Sequence, residues 1–286
     1  MLDYKPNQVI STQEYKVVGT RPIRHDGSDK VTGRARYAAD TQMVGLLHAR
    51  LLRSPHAHAR IKSIDASKAL ALPGAKAVVT AADLPESSTA VQEGAMVNYG
   101  FYSRNVMARE KALYLGHAIA AVAATSPHIA EEALALIDVD YEVLTPVLNA
   151  ADAMKDDAPI LHERLLTMSS PAFRAGGYGD AENEKPTNIA NHFEFRMGDI
   201  EKGFAEADVI VECEFHTKSV HQGYIEPHSA TALWSEDGSV TIWTSSQGHF
   251  ALRDHTSAIL GIPLSRVKLV PMEIGGGFGG KGQGGC

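Results

Sequence analysis

The chain has 286 residues, 44% hydrophobic and 21% charged, with a formal net charge of −7 and a pI near 6.0. That composition suits a globular chain of one to three domains, and the acidic balance argues against a general nucleic-acid binder, which needs a basic face. No run is long and apolar enough to suggest a membrane span, Met1-Leu-Asp-Tyr-Lys-Pro does not read as a secretory signal, and Cys213 and Cys286 make no CxxC; a cytoplasmic protein with reduced thiols and no iron–sulfur cluster of its own is expected.

Residues 1–18 are polar and aperiodic and read as an N-terminal extension. Turn signals follow at Arg21-Pro22 and Asp26-Gly27. Leu46 to Leu52 and Ala59 to Asp65 are predicted strands, Ala66 to Leu72 a short helix stopped by Pro73-Gly74, and Ala75 to Thr80 another strand. Ala118 to Ala124 is a small-apolar run, predicted as a strand covered on both faces. Ser126 as N-cap and Pro127 at the first helical position start a helix to Leu136. Ile137 to Val143 alternates as a strand. Strand, helix, strand in that order predicts an α/β domain over 19–150.

Residues 151–190 read as a linker, with a polar, glycine-rich connector at 176–186. A second domain spans 191–286. Val209 to Phe215 alternates as a strand, with Val209, Val211, Cys213 and Phe215 on one face. Ala230–Trp234 and Val240–Thr244 flank the turn Glu236-Asp-Gly-Ser239 and predict a hairpin. Phe250 to Leu260 has helical spacing and stops at Gly261-Ile-Pro263. Val267 to Ile274 is the last predicted strand, and it breaks into a run dense in glycine, from Gly275 to the end.

Glycine adds backbone entropy and no packing, so such density makes sense where main chain must come very close to another group. Gly275-xxxx-Gly280-Lys281 fits the first seven places of a P-loop, but Gly282 stands where Ser or Thr should hold magnesium, and the given sequence ends five residues after Lys281, where a helix is expected. A solvated tail has no use for Phe278 at its centre. Gln247 follows a predicted strand and precedes a helix, a place where α/β proteins put ligand contacts. The 13 histidines include His56, His58, His221, His228 and His249 in suggestive stretches, but none has the spacing of a four-ligand zinc site.

Gly275-Gly-Gly-Phe-Gly-Gly-Lys281, preceded by Ser245-Ser-Gln-Gly248, resembles the molybdenum-binding subunit of the xanthine dehydrogenase and aldehyde oxidoreductase family. So do Lys30-Val-Thr-Gly-Arg-Ala-Arg-Tyr-Ala-Ala-Asp40, Arg53-Ser-Pro-His-Ala-His-Ala-Arg60, Gly116-His-Ala-Ile-Ala-Ala-Val122, Val139-Asp-Tyr-Glu142 and Ile225-Glu-Pro-His228, in the family's order. The likeness spans about residues 20 to 282 and corresponds to the family's N-terminal portion. It implies a mixed α/β (α+β) chain: a hammerhead-like α/β domain, then the first part of a molybdopterin-binding domain.

The resemblance also implies site residues. Gln247 would hydrogen-bond the metal oxo group, and Gly248, Gly276, Gly277, Phe278, Gly279 and Gly280 would line the cofactor. Gln247, Phe278 and Gly279 would stand beside the metal without ligating it. Lys281 is left between a phosphate and a protein carboxylate as partner, and Glu226 reads as a structural carboxylate. Gly282 replaces an acidic residue of the purine-oxidising branch. The family's general base is a glutamate downstream of anything in this chain, so a second molybdenum-binding chain is expected to carry it.

The expected cofactor is molybdenum with molybdopterin, in a cytosine dinucleotide form, with [2Fe-2S] and FAD in partner subunits. The expected reaction is oxidative hydroxylation of an N-heterocycle or aldehyde with water, by a split large subunit. Acyl-CoA reduction or dehydrogenation, carbon monoxide dehydrogenation, and a non-catalytic scaffold remain as alternatives.

Overall fold

A computed structural model of the chain describes residues 15–85, 105–163, 166–170, 185–193 and 197–282. The first half runs α1 (Gly27–Thr32), β1 (His48–Arg53), β2 (Ala59–Asp65), α2 (Ser67–Ala71), β3 (Ala75–Thr80), β4 (Lys111–Ala112), β5 (Ala118–Ala124), α3 (Pro127–Ala135) and β6 (Asp138–Val143). Then come α4 (Ala150–Ala153), β7 (Met168–Ser170), β8 (Asn191–Phe193), α5 (Ile200–Glu206), β9 (Ala230–Trp234), β10 (Val240–Thr244), α6 (His249–Leu260) and β11 (Val267–Pro271). The fold is mixed α/β, and no helix among the described residues is long and apolar enough to cross a membrane.

The small residues of β5 decide the packing of the first half. It is the central strand of an antiparallel sheet ordered β1-β5-β3. Ala120 and Val122 pack with Ala69 of α2 and Ala133 of α3. Ile119 packs against Ile61, Ile64, Val139 and Tyr141 of the second sheet, ordered β4-β2-β6. A strand of alanines lets helices approach closely from one side while Ile119 fills the other. It is covered on both faces, as expected, but within an antiparallel sheet.

Pro127 opens α3, and Ser126 Oγ accepts the Ile129 N–H at 3.2 Å. Ser126→Ala is expected to cost about 1 kcal/mol in urea unfolding, the usual worth of a lost N-cap. Next to β5, His117 is 1% exposed. Its Nε2 donates to the Asn105 carbonyl at 2.8 Å and its Nδ1 accepts the Leu113 N–H at 3.3 Å, which fixes the neutral tautomer. Burial pushes its pKa below the ordinary 6.5. The unfolded chain therefore binds this proton first. The stability from His117 is complete above about pH 6.5 and falls as the pH drops toward the folded value. His117→Gln is expected to flatten that slope in melting curves taken between pH 5 and 8 (roughly the imidazole range).

In the second half, β10 sits between β9, antiparallel, and β11, parallel. The β9–β10 turn is closed by Ser235 N–H to the Ser239 carbonyl at 2.8 Å, with Gly238 at φ 78°. Helix α6 carries the chain from the end of β10 back to the start of β11, so both strands release their following loops at one end of the sheet.

Several expectations shift. The strand expected at Val209 to Phe215 is absent: residues 209–224 run without helix, turn, bend or ladder partner. The last strand ends at Pro271 rather than Ile274, because Met272 N–H turns to the Thr244 carbonyl and Glu273 N–H to that of Arg36. Helices α1 and α5 were not expected. Asp199 caps α5 by accepting the Lys202 N–H at 3.0 Å, but the helix buries no residue, so no apolar period marked it. The stretch read as a linker holds most of α4 and all of β7, which pairs in parallel with β8.

Candidate functional site

Parallel pairing of β10 with β11, with Thr244 opposite Pro271, places two loops side by side at the carboxyl ends of the strands. One carries Ser245 to Gly248; the other is the glycine run. Ligands of open α/β sheets bind at that end.

The two loops are bonded through Gln247. Its N–H donates to the Lys281 carbonyl at 2.8 Å. Its side-chain Oε1 accepts the N–H of Gly279 at 3.0 Å and of Lys281 at 3.2 Å. Two main-chain donors identify that atom as the oxygen, so Nε2 is the free end of the amide. No described residue accepts from it, and Gln247 is exposed.

The glycines divide into two kinds. Gly276 and Gly279 have φ of 98° and 86°, which side chains rarely adopt. Gly275, Gly277 and Gly280 are crowded instead. A Cβ on Gly275 would meet Glu226 at 2.6 Å, one on Gly277 Gln247 Oε1 at 2.6 Å, and one on Gly280 the Tyr224 ring at 2.6 Å. The space these glycines leave is taken by the chain's own side chains. Their N–H groups are largely engaged too: Gly275 with Glu226, Gly279 with Gln247, Gly280 with the Gly277 carbonyl.

Phe278 is different. It has φ 49°, the one non-glycine residue with positive φ among those described, and is 71% exposed. A bulky residue in the left-handed region at a loop tip is strained, and strain of this kind gathers at functional sites. Its ring folds back to within 3.0 Å of where a Cβ on Gly276 would stand.

Beneath the loop, Lys281 is 0% exposed and pairs with Glu226 at 2.5 Å. This settles its partner as a protein carboxylate and removes the P-loop reading. Glu226 also accepts the Gly275 N–H at 2.7 Å. Burial pushes the Glu226 carboxyl upward, but the Lys281 and Gly275 hydrogen bonds outweigh it and hold the group below its ordinary value. The Ser245 hydroxyl stands close enough to favour the charge, yet neither Ser245 Oγ nor Glu226 Oε1 is hydrogen-bonded.

Segment 221–228 forms a wall the sequence only half revealed. Tyr224 lies under Lys281, with Nζ 5.2 Å from the ring centre, and its hydroxyl meets His228 Nε2 at 2.7 Å. Gln222 and Tyr224 both crowd Gly280. From the other side, Lys30 pairs with Glu273 at 2.7 Å and donates to the Ile274 carbonyl, while Tyr37 bridges to Glu273. Four of the sequence motifs thus meet at this loop. The stretches at 53–60 and 116–122 do not: Ser54 N–H donates to the His117 carbonyl and Gly116 N–H to that of Ser54, inside the first half. His58 donates to the Thr145 carbonyl at 2.8 Å and His249 to that of Thr244 at 3.2 Å. Among the described residues no three His, Cys, Asp or Glu gather as metal ligands.

Two family models match. The one described as aldehyde oxidase and xanthine dehydrogenase, a/b hammerhead domain, matches residues 32–145, and the molybdopterin cofactor-binding domain matches 181–285. The nicotinate dehydrogenase large molybdopterin subunit of Eubacterium barkeri is 30% identical over 94% of this chain and 56% of its own length. The carbon monoxide dehydrogenase large chain of Afipia carboxidovorans is 32% identical over 97% of this chain and 33% of its own. Among solved structures, a Cu,Mo-CO dehydrogenase superposes with TM-score 0.72 at 32% identity, over 93% of this chain and 33% of that one. The aldehyde oxidoreductase of Desulfovibrio gigas gives TM-score 0.72 at 27% identity, over 90% and 27%. The chain spans between about a third and just over half of the curated relatives named here. With both domain types present in one chain, the protein belongs to the family of molybdopterin-binding large subunits of the xanthine dehydrogenase and aldehyde oxidoreductase enzymes.

Proposed function

We propose that this chain forms one wall of a molybdenum–molybdopterin site in the large subunit of a molybdenum hydroxylase. The observation that carries the reading is the pinned Gln247 amide beside the strained Phe278. The site fits such a group. It offers an uncharged donor fixed by two main-chain bonds, an aromatic face, and a glycine backbone with no side chain between them. The bound cofactor would supply the two-electron redox chemistry. Gln247 orients a neutral hydrogen bond toward it, Phe278 and Gly279 shield one side from water, and Gly248, Gly276, Gly277 and Gly280 shape the loop that holds both.

The chain's candidate bases are otherwise engaged: Glu226 is paired with Lys281 and Glu273 with Lys30. A general base must reach the proton it removes, so a second chain is proposed to bring the catalytic glutamate. The cytosine dinucleotide form of the pterin, [2Fe-2S] and FAD subunits, and a cytoplasmic complex belong to the same proposal. So do the divisions 1–18, 19–150, 151–190 and 191–286. Likeness to the nicotinate dehydrogenase subunit supports hydroxylation of an N-heterocycle. Likeness to the carbon monoxide dehydrogenase chain supports a second reading, oxidation of a small gas.

Metal analysis of the native complex, purified through a tag on this chain, tests the core of the proposal. Molybdenum and pterin in fixed ratio to the chain are expected; a complex free of molybdenum overturns it. Turnover on nicotinate, aldehydes and carbon monoxide then separates the two chemistries.

A further inference from the structure

Tyr224 touches the glycine loop at both of its ends. Its Cβ stands 3.3 Å from where a Cβ on Gly276 would be, and its Cε1 only 2.6 Å from one on Gly280. Those two glycines flank Phe278 and Gly279, so the loop is wound around this one side chain. The Tyr224 ring also lies under the Lys281 ammonium, and both the N–H and the carbonyl of Lys281 are bonded to Gln247. A shift of Tyr224 is therefore passed by direct contact to the strained tip and to the pinned amide. The ring is itself held. Its hydroxyl meets His228 Nε2 at 2.7 Å, with the imidazole edge-on and 5.2 Å between ring centres. The His221 ring lies 4.9 Å away, and His221 Nδ1 accepts the N–H of Gly223, the left-handed residue (φ 67°) just before Tyr224.

We propose that His228 is a positioning residue: through the Tyr224 hydroxyl it fixes the ring on which residues 275–281 are wound, and so sets Gln247 and Phe278 for the cofactor. This rests on the cofactor-wall reading above. Nε2 can accept the phenol proton only while the imidazole is neutral. A protonated imidazole donates instead, so the bond must reverse and the Tyr224 proton must turn away. Protonation also sets a second positive charge near Lys281, whose counter-ion is Glu226. Tyr224, Lys281, His221 and Glu226 all face His228. Burial, then the Lys281 charge and His221, hold the His228 pKa below its ordinary 6.5 against the pull of Glu226, so the neutral ring prevails at neutral pH. The loop therefore keeps this support in full above about pH 6.5 and loses it as the pH falls through the folded value. Glu226 is held below its ordinary 4.5 and stays charged across that window.

Hydrogen–deuterium exchange on the native complex, purified through a tag on this chain, tests this at the amides of Gly279 and Lys281, which donate to Gln247 Oε1. In Tyr224→Phe and His228→Ala these amides are expected to exchange about three- to ten-fold faster, the range for one lost hydrogen bond, and molybdenum content to fall. His228→Gln offers an amide oxygen to the same hydroxyl and is expected to restore most of the protection at about pH 7.5. Protection corrected for intrinsic exchange should fall in the wild type between about pH 7.5 and 5.5. It should stay flat over that range in His228→Gln and still fall in His221→Gln. Unchanged exchange in Tyr224→Phe and His228→Ala overturns the proposal. So does failure of glutamine to rescue, or an acid-side loss that persists in His228→Gln or vanishes in His221→Gln. Molybdenum measured in the wild-type sample separates the two claims. No molybdenum, with a loop that responds to these variants, removes the cofactor reading and leaves Tyr224 and His228 as the loop's support; full molybdenum with an unresponsive loop does the reverse.

Discussion

Replacing Gln247 by glutamate is expected to leave the glycine loop folded and to lower turnover per molybdenum about 10²–10³-fold, the usual loss when one preorganised donor is removed from a site. The glutamate keeps an oxygen for the Gly279 and Lys281 N–H groups, which Oε1 now accepts at 3.0 and 3.2 Å. It exchanges the free donor for a charged acceptor. Gln247→Ala differs, since it leaves both N–H groups without that acceptor and is expected to lower cofactor content as well. Turnover and molybdenum content of the purified complex, measured for both variants, check this. Full turnover in the glutamate variant would show that the amide donates to nothing that matters.

The second large effect lies below the loop. Glu226→Ala is expected to destabilise the folded chain by about 3–5 kcal/mol, because it strands a fully buried ammonium. Lys281 is 0% exposed, and Glu226 is its counter-ion and the acceptor for Gly275. The double variant Glu226→Met, Lys281→Met removes both charges and is expected to lose much less than the sum of the single losses. Denaturant midpoints of the four proteins form the cycle. The pH dependence follows from the same pair. The Glu226 carboxyl is held below its ordinary value in the folded chain, so its contribution is complete above about pH 4.5 and is lost as the pH falls through the folded pKa. Additive single losses would show that the pair is not coupled.

Most of the first half was legible because its signals are local. Ser126-Pro127 marks a helix start by chemistry, and β2, β3 and β5 run over the same residues as the predicted strands. The hairpin at Glu236–Ser239 was visible for the same reason. The misses are non-local. Val209 to Phe215 alternates as a strand should, but a strand also needs a neighbour, and alternation cannot say whether one is present. Helix α5 buries nothing, so it left no apolar stripe. At the site, Gln247 and Phe278 stood out through the resemblance, while Tyr224 and Gln222 did not. Their importance comes from Gly280, 56 and 58 residues away, whose missing side chain makes room for them. The glycine run was read as clearance for a ligand; part of it is clearance for Glu226, Gln247 and Tyr224.

The backbone of Phe278 has a consequence for how this protein can be improved. Substituting glycine there would release a conformation that costs about 1 kcal/mol or more for a side-chain-bearing residue, so the melting temperature of the isolated chain should rise or hold. Cofactor retention should fall, because the ring is gone. On the proposed cofactor reading, screens that select on heat resistance alone would therefore drift toward an inert protein, with the aromatic at this tip the place where robustness is yielded to purpose.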